Sequence, residues 1–230
     1  MSAEIKLIVF DWDGTLMDSA ARIVSCFRAA AEDQGLAAPD DNVIRGVIGL
    51  AMPEAIAALF PGMDMNTGRM AFTDRYRHHY LDANPTPTAL FVGVKEMLDQ
   101  LDAAGYMMAV ATSKGRGGLD RVLHETGLRD RFCVSRTADE AFSKPHPAML
   151  LDILEYLGVS ANEAVMVGDT EYDLMMARNA QVAGVGVCGG AHERPRLLAC
   201  GPVVCLERTT DLPEWLSLQR RNFSGDKIVP

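Results

Sequence analysis

Lysine is absent between Lys6 and Lys95, and nowhere do Lys and Arg gather into a long run. With a net charge of −9, the chain lacks the basic surface that holds a phosphate backbone, which argues against nucleic acid as a partner. No apolar segment approaches the ~20 residues that span a bilayer, and no basic stretch followed by a long apolar one marks a signal peptide. Cysteine is scarce and odd in number: Cys26, Cys133, Cys188, Cys200 and Cys205 are scattered, which argues against a disulfide framework. Cys200 and Cys205 have no second pair to complete a metal site, so buried free thiols in a cytoplasmic protein are expected. Internal repeats and low-complexity tracts are missing too. What remains is ordinary for a globular chain: 48 % hydrophobic and 23 % charged residues over 230 positions, enough for one large domain or one domain with an insertion.

Five short apolar runs read as strands: Ile5–Phe10, Met107–Ala111, Ala164–Val167, Val182–Val187 and Val203–Leu206. Helical patterns lie among them, over Gly93–Ala104, Gly117–Thr126, Pro147–Leu157 and Tyr172–Asn179. Such alternation predicts an α/β fold, a parallel sheet covered on both faces. Ligands of these sheets sit beyond the carboxyl ends of the strands. Leu16–Thr88 breaks the rhythm, with helices over Ser19–Gln34, Asp40–Val47, Pro53–Leu59 and Met65–Leu81 and no buried strand. Asn84-Pro85-Thr86-Pro87 then reads as a linker, because proline removes a donor and restricts its predecessor. The predicted division is an α/β core over 1–15 and 88–222, an inserted all-helical cap over 16–87, and a C-terminal tail over 223–230, polar and frayed from Arg220. A cap over the sheet's carboxyl edge can close on a substrate and exclude water.

Four polar clusters fall at strand ends or helix starts. In Val9–Ser19, VFDWDGTLMDS, Asp11 and Asp13 follow the first strand. Were the strand to continue, they would face opposite ways; a turn at Gly14 lets both approach one site. One carboxylate can then act as a nucleophile and the other as an acid/base. Two solvated acids at a strand end fit the same residues. Thr112-Ser113-Lys114 offers hydroxyls and N–H groups that suit a phosphate, or a plain helix cap. In Ser143-Lys144-Pro145-His146-Pro147, Lys144 can aim an ammonium inward at a phosphate, or lie on the surface before a helix. In Gly168-Asp169-Thr170-Glu171-Tyr172-Asp173, Asp169 and Asp173 stand one helical turn apart, as hard oxygen ligands for Mg²⁺ or as helix-start charge. Each cluster has a bland reading, but together they hold what phosphoryl transfer requires.

These motifs resemble those of the haloacid dehalogenase superfamily of phosphatases with a helical cap: Asp11-x-Asp13-Gly14-Thr15, then Thr112, then Lys144-Pro145, then Gly168-Asp169-x-x-x-Asp173. The resemblance covers nearly the whole chain. It implies that Asp11 attacks phosphorus and forms an aspartyl-phosphate, while Asp13 protonates the leaving alcohol and then activates water. It implies that Thr112 and Lys144 hold phosphate oxygens and that Lys144 also holds Asp11. Mg²⁺ would be bound by Asp11, the Asp13 carbonyl and Asp169, with Asp173 in or beside that shell. Gly14, Thr112, Ser113, Lys144 and Arg45 are the candidate substrate contacts, Arg45 because arginine pairs bidentately with a carboxylate. Within the superfamily, Asp13 argues against dehalogenation, and a cap without lysine lacks the nucleophile of phosphonoacetaldehyde hydrolases. The cap loop Arg45-Gly46-Val47-Ile48-Gly49 also lacks the lysine of β-phosphoglucomutases, which disfavours transfer between sugars. Trp12 replaces the leucine of the usual motif, and Glu171 adds a carboxylate near the metal. Ile48-Gly49-Leu50, Gly93-Val94, Ala111-Thr112-Ser113-Lys114 and a tail around Gly189–Leu198 resemble phosphoglycolate phosphatases. The substrate implied is a small phosphorylated metabolite, 2-phosphoglycolate first. Pyrophosphate, a nucleotide, flavin mononucleotide, phosphotransfer, or a silent binding scaffold are the alternatives, and the oligomeric state is left open.

Overall fold

The computed structural model describes residues 4–64 and 66–224. In chain order the elements are β1 (Leu7–Phe10), β2 (Met17–Asp18), α1 (Ala20–Asp33), α2 (Asp41–Arg45), α3 (Met52–Leu59), α4 (Thr67–His78), a π-helical turn (His79–Ala83) and β3 (Ala89–Leu90). They continue as α5 (Val94–Ala103), β4 (Met107–Thr112), α6 (Arg116–Thr126), β5 (Val134–Thr137), α7 (Ala148–Leu157), β6 (Ala164–Gly168), α8 (Glu171–Asn179), β7 (Ala183–Val187), α9 (Arg194–Leu198), β8 (Val204–Leu206) and α10 (Leu212–Ser224).

Six strands form one parallel sheet in the order β5-β4-β1-β6-β7-β8, as the strand–helix alternation predicts. All four residues of β1 are fully buried, because helices cover both faces of a parallel sheet. Alternation splits them between two cores. Ile8 and Phe10 pack with Val110, Val165 and Val167; Leu7 and Val9 pack with Ala109, Ala111, Ala164 and Met166. Each large side chain buried this way contributes roughly 1.5–3 kcal/mol. Phe10 pairs in register with Val110 of β4 and Val167 of β6. The residues just beyond, Asp11, Ala111 and Gly168, therefore reach the carboxyl edge side by side.

Between β2 and β3 the chain is helical, with a core of its own. Ile23, Phe27, Ile44, Ile56 and Phe72 are buried together, and the Phe27 and Tyr76 rings lie 4.8 Å apart. In α1, Ile23, Phe27 and Ala30 recur at helical spacing and face this core.

Several elements differ from the sequence expectation. β2 and β3 form a two-residue antiparallel ribbon at the root of the helical segment, where no strand is predicted. β5 escapes prediction because Val134-Ser135-Arg136-Thr137 is an edge strand with no apolar run, and Arg136 pairs with Asp152 of α7. α4 begins at Thr67, where Asp64 accepts the Thr67 N–H at 2.7 Å, and its expected first residue, Met65, lies outside the described residues. The tail does not start at Arg220: α10 continues through it to Ser224, with the Arg220 guanidinium 4.4 Å from the centre of the Tyr106 ring. Residues 225–230 of the expected tail and 1–3 of the expected core lie outside the described residues.

Candidate active site

Asp11 follows β1 directly, and its N–H donates to Val167 O at 2.9 Å, which extends the ladder by one residue. The chain then bends: Trp12 O accepts from Leu16 N and Met17 N, and Asp13 pairs with Met17. The turn needs Gly14, whose φ is +84°. A Cβ there would stand 2.2 Å from Asp169 Oδ2. Trp12 turns away from the site into the sheet core, fully buried, edge-on to Phe132.

Two strand ends, the first turn of α8 and one loop deliver the charged groups. Asp169 follows β6; its Oδ1 accepts from Thr15 Oγ1 at 2.8 Å and its Oδ2 from Ala191 N at 2.7 Å. Asp173 lies in the first turn of α8, where its Oδ2 accepts from Thr170 N at 3.0 Å and Thr170 Oγ1 at 2.7 Å. Gly168 leaves space for it, since a Cβ at 168 would fall 2.3 Å from Asp173 Cγ. Lys144, before a cis peptide to Pro145, is fully buried, with Nζ 2.7 Å from Asp11 Oδ1 and 2.6 Å from Asp173 Oδ1. Thr112 ends β4 with its Oγ1 accepting from Lys114 N at 3.2 Å, so the hydroxyl proton is left for another acceptor.

Asp11, Asp169 and Asp173 bring carboxylate oxygens within 4.8 Å of one another, all buried. Three buried carboxylates face one buried ammonium. Burial drives the Asp11 carboxyl up to about 7, with Asp173 and Asp13 adding to it against the pull of Lys144. Burial, then Asp11 and Asp173, pushes Asp169 well above the ordinary carboxyl range. Burial opposes the Lys144 charge, but Asp11 and Asp173 hold the ammonium above its usual value. A divalent cation fits this set: it supplies the missing positive charge to hard oxygen donors. Among the described residues Lys144 meets only Asp11 and Asp173, so the Asp169 carboxylate has no ammonium beside it and its charge is left for such a cation.

Asp13 stands apart from the three. Its Oδ1 accepts from Ser19 Oγ at 2.7 Å, and its Oδ2 lies 3.0 Å from Lys114 Nζ. Asp11, Asp13, Thr112 and Lys114 border a cavity of about 700 Å³ between the sheet edge and the helical segment. The helical wall is mainly apolar, built from Ile23, Phe27, Ile48, Leu50 and Tyr76.

The structure thus brings together Asp11, Asp13, Thr112, Lys144, Asp169 and Asp173, but three expected substrate contacts stand differently. Arg45 lies away from the cavity, in a groove with Ala21, Arg28 and Asp41 on the α1 side. The reason is helical geometry: Ile44 is fully buried in the helical core, so its neighbour is turned about 100° away from it. Ser113 borders the cavity, but its hydroxyl donates to Gly49 O at 2.6 Å, so its proton is not offered to a phosphate. Gly14 donates its N–H to Met17 O at 2.8 Å, and it matters through its missing Cβ. Glu171 is turned to Arg196 at 2.5 Å rather than to the carboxylate group. Residue reasoning missed Thr15, Ser19, Tyr80 and the role of Lys114: Thr15 and Asp169 are 154 residues apart and Lys114 and Tyr80 are 34 apart, while Ser19 meets Asp13 six residues back only through the turn at Gly14.

The family model for haloacid dehalogenase-like hydrolases matches residues 8–187. A Dickeya dadantii protein named "Probable phosphatase IndB" is 35 % identical over 210 residues, 90 % of this chain and 91 % of that one. A phosphoglycolate phosphatase of Vibrio parahaemolyticus is 30 % identical over 223 residues, 92 % of this chain and 96 % of the relative. Among solved structures, a hydrolase from Pseudomonas syringae superposes with a TM-score of 0.84 at 23 % identity, over 94 % of this chain and 99 % of that one.

Proposed function

Because the chain belongs to the haloacid dehalogenase-like hydrolase family, and its relatives bear the name phosphatase, we propose that it is a Mg²⁺-dependent phosphomonoester hydrolase working through an aspartyl-phosphate on Asp11. One observation carries the reading: Lys144 Nζ bridges Asp11 and Asp173 at 2.7 and 2.6 Å, and Asp11 borders, with Asp13, the cavity between sheet edge and helical segment.

The roles follow from placement. Asp11 attacks phosphorus, and its oxygen–phosphorus bond forms as the bond to the leaving alcohol breaks. Asp13, the acid on the cavity side of the turn, gives a proton to the departing oxygen and then takes one from water. Ser19 and Lys114 fix the direction of the Asp13 carboxyl through contacts of 2.7 and 3.0 Å. Thr112 donates its hydroxyl proton to a phosphate oxygen, and Lys144 neutralises another while orienting Asp11. Asp11, Asp169, Asp173 and the Asp13 carbonyl would hold Mg²⁺, which when bound neutralises charge on the transferring phosphoryl group. Residues 16–87 form a cap domain on the core of residues 1–15 and 88–222, and its apolar wall keeps bulk water from the acyl phosphate. The free cysteines support a cytoplasmic setting, and among the described residues no helix is long and apolar enough to cross a membrane.

The preferred substrate is 2-phosphoglycolate, which the name of the Vibrio relative supports. The cavity favours a second reading: about 700 Å³ exceeds what a two-carbon acid fills, so an ester with a larger body, such as a nucleotide, also fits. Phosphate release from a panel of phosphorylated metabolites, with and without Mg²⁺, separates them. Mg²⁺-dependent release that Asp11→Asn abolishes is expected. Release that survives Asp11→Asn would refute the nucleophile.

A further inference from the structure

Lys114 stands at the seam between sheet and cap with its side chain 9 % exposed. Its stem lies against Gly118 of α6, where a Cβ would fall 3.0 Å from Lys114 Cγ; glycine keeps that channel open. Two partners hold the ammonium, Asp13 Oδ2 at 3.0 Å and Tyr80 O–H at 3.1 Å. Its Nζ also sits 4.7 Å from the centre of the Tyr80 ring. An ammonium has three donors, so one is left over, on a group that borders the cavity. The other cations of this cavity are Arg77 and Arg121, whose side chains are 69 % and 50 % exposed and stand beside Asp74 and Glu125. Among the described residues lining the cavity, Lys114 is therefore the buried cation.

We propose that Lys114, positioned by Tyr80, is the specificity-determining residue of this site, and that it reads an anionic group on the alcohol of the substrate. The inference rests on the phosphatase reading and adds to it which chemical class of ester the site accepts. The argument is one of reach. If Asp13 touches the bridging oxygen of the ester, then Lys114, 3.0 Å from Asp13, lies one or two bonds further along the alcohol. A carboxylate on the carbon next to the ester oxygen falls there. The apolar wall of Ile23, Phe27 and Tyr76 screens little, so an ion pair formed there gains more than one in water. A neutral alcohol leaves the third donor facing apolar surface or trapped water, and is rejected for that unmade contact. Arg45 was the residue the sequence pointed to for this task, and Lys114 occupies the place that Arg45 does not reach.

The test compares two esters of equal length, 2-phosphoglycolate and 2-hydroxyethyl phosphate, on wild type, Lys114→Gln and Lys114→Arg. The readout is the ratio of their kcat/KM values, which a merely structural loss leaves unchanged. Wild type is expected to favour the carboxylate ester by about 100-fold, Lys114→Gln to bring the ratio within about threefold of unity, and Lys114→Arg to restore part of it. An equal fall on both esters in Lys114→Gln, or a wild type without preference, overturns the assignment. No release of phosphate from either ester would instead overturn the phosphatase reading. The Lys114 assignment is then read from the dissociation constants of the same two esters by calorimetry, with the same ratio as criterion. Thermal midpoints of the variants show that each is folded.

Discussion

Without a divalent cation, raising the pH should destabilise this fold, and Asp11 gives the size of the effect. Burial, reinforced by Asp173 and Asp13, moves its carboxyl from 3.8 to about 7 against the pull of Lys144. The unfolded chain loses this proton near the lower value and the folded chain near the upper one. Between them the native state binds more protons than the unfolded state, so stability falls as pH rises. The separation amounts to about 4 kcal/mol of stability, present below roughly pH 4 and gone above roughly pH 7. Asp169, pushed up by burial and then by Asp11, acts in the same direction. His192 acts the other way: burial holds its ring below the ordinary value, so its contribution is lost as the pH falls. A comparison of wild type with Asp11→Asn cancels the His192 contribution, while the part of the Asp169 shift that Asp11 causes adds to the difference in the same direction. Urea unfolding in EDTA at pH 5, 6, 7 and 8 provides the assay. Wild type should lose stability relative to Asp11→Asn along that series, and millimolar Mg²⁺ should return it by binding the native state alone. Parallel profiles for the two proteins, or a wild type unmoved by Mg²⁺, would refute the argument that excess buried negative charge defines this site.

Three further outcomes are expected. Asp13→Asn should still bind substrate but lower kcat by about 10²–10⁴-fold, measured as steady-state phosphate release. Gly14→Ala should cost roughly 1–3 kcal/mol in urea unfolding and weaken Mg²⁺ binding by calorimetry, because its Cβ would meet Asp169 Oδ2 at 2.2 Å. Arg45→Ala should leave kcat/KM for 2-phosphoglycolate within about twofold of wild type, since Arg45 lies in a groove apart from the cavity.

The part of the fold that rests on apolar patterning was legible: β1, β4 and β6 are buried runs, and each ends where polar residues begin. Elements that lean on partners were not. β5 has only Thr137 fully buried, and its Arg136 is an ion-pair partner, so nothing in four residues marks a strand. Asp11, Asp13, Asp169 and Asp173 could be singled out because strand ends converge in a parallel sheet. The resemblance implied the Lys144–Asp11 pair, but other partnerships were not legible: Lys114 finds Tyr80 34 residues away, and Thr15 finds Asp169 154 residues away. Loop glycines beside a cation look like a binding loop, whereas the burial of Ile44 decides where that short helix points, and Arg45 falls in a groove apart from the cavity.

Apart from Arg196, which donates to Gly46 O at 3.3 Å, the polar contacts described between cap loop and core link closure to chemistry. Gly46 O accepts from Tyr172 O–H at 3.0 Å, Gly49 O from Ser113 Oγ at 2.6 Å, and Ala51 N donates to Ser143 Oγ at 3.0 Å. Each core partner is the sequence neighbour of a proposed active-site residue: Tyr172 of Asp173, Ser113 of Thr112, Ser143 of Lys144. Gly49 presses on a fourth neighbour, since a Cβ there would stand 2.7 Å from Oγ1 of Thr170, next to Asp169. Adjacent residues point in different directions, alternating faces on a strand and turning about 100° on a helix. One can therefore face the phosphate while the next faces the loop. A loop held at these points is hydrogen-bonded to the same segments that carry Thr112, Lys144 and Asp173. The ends of β4 and β6, the first turn of α8 and the loop before α7 thus carry both the contacts to the cap loop and the proposed reacting groups, which couples exclusion of water to their alignment.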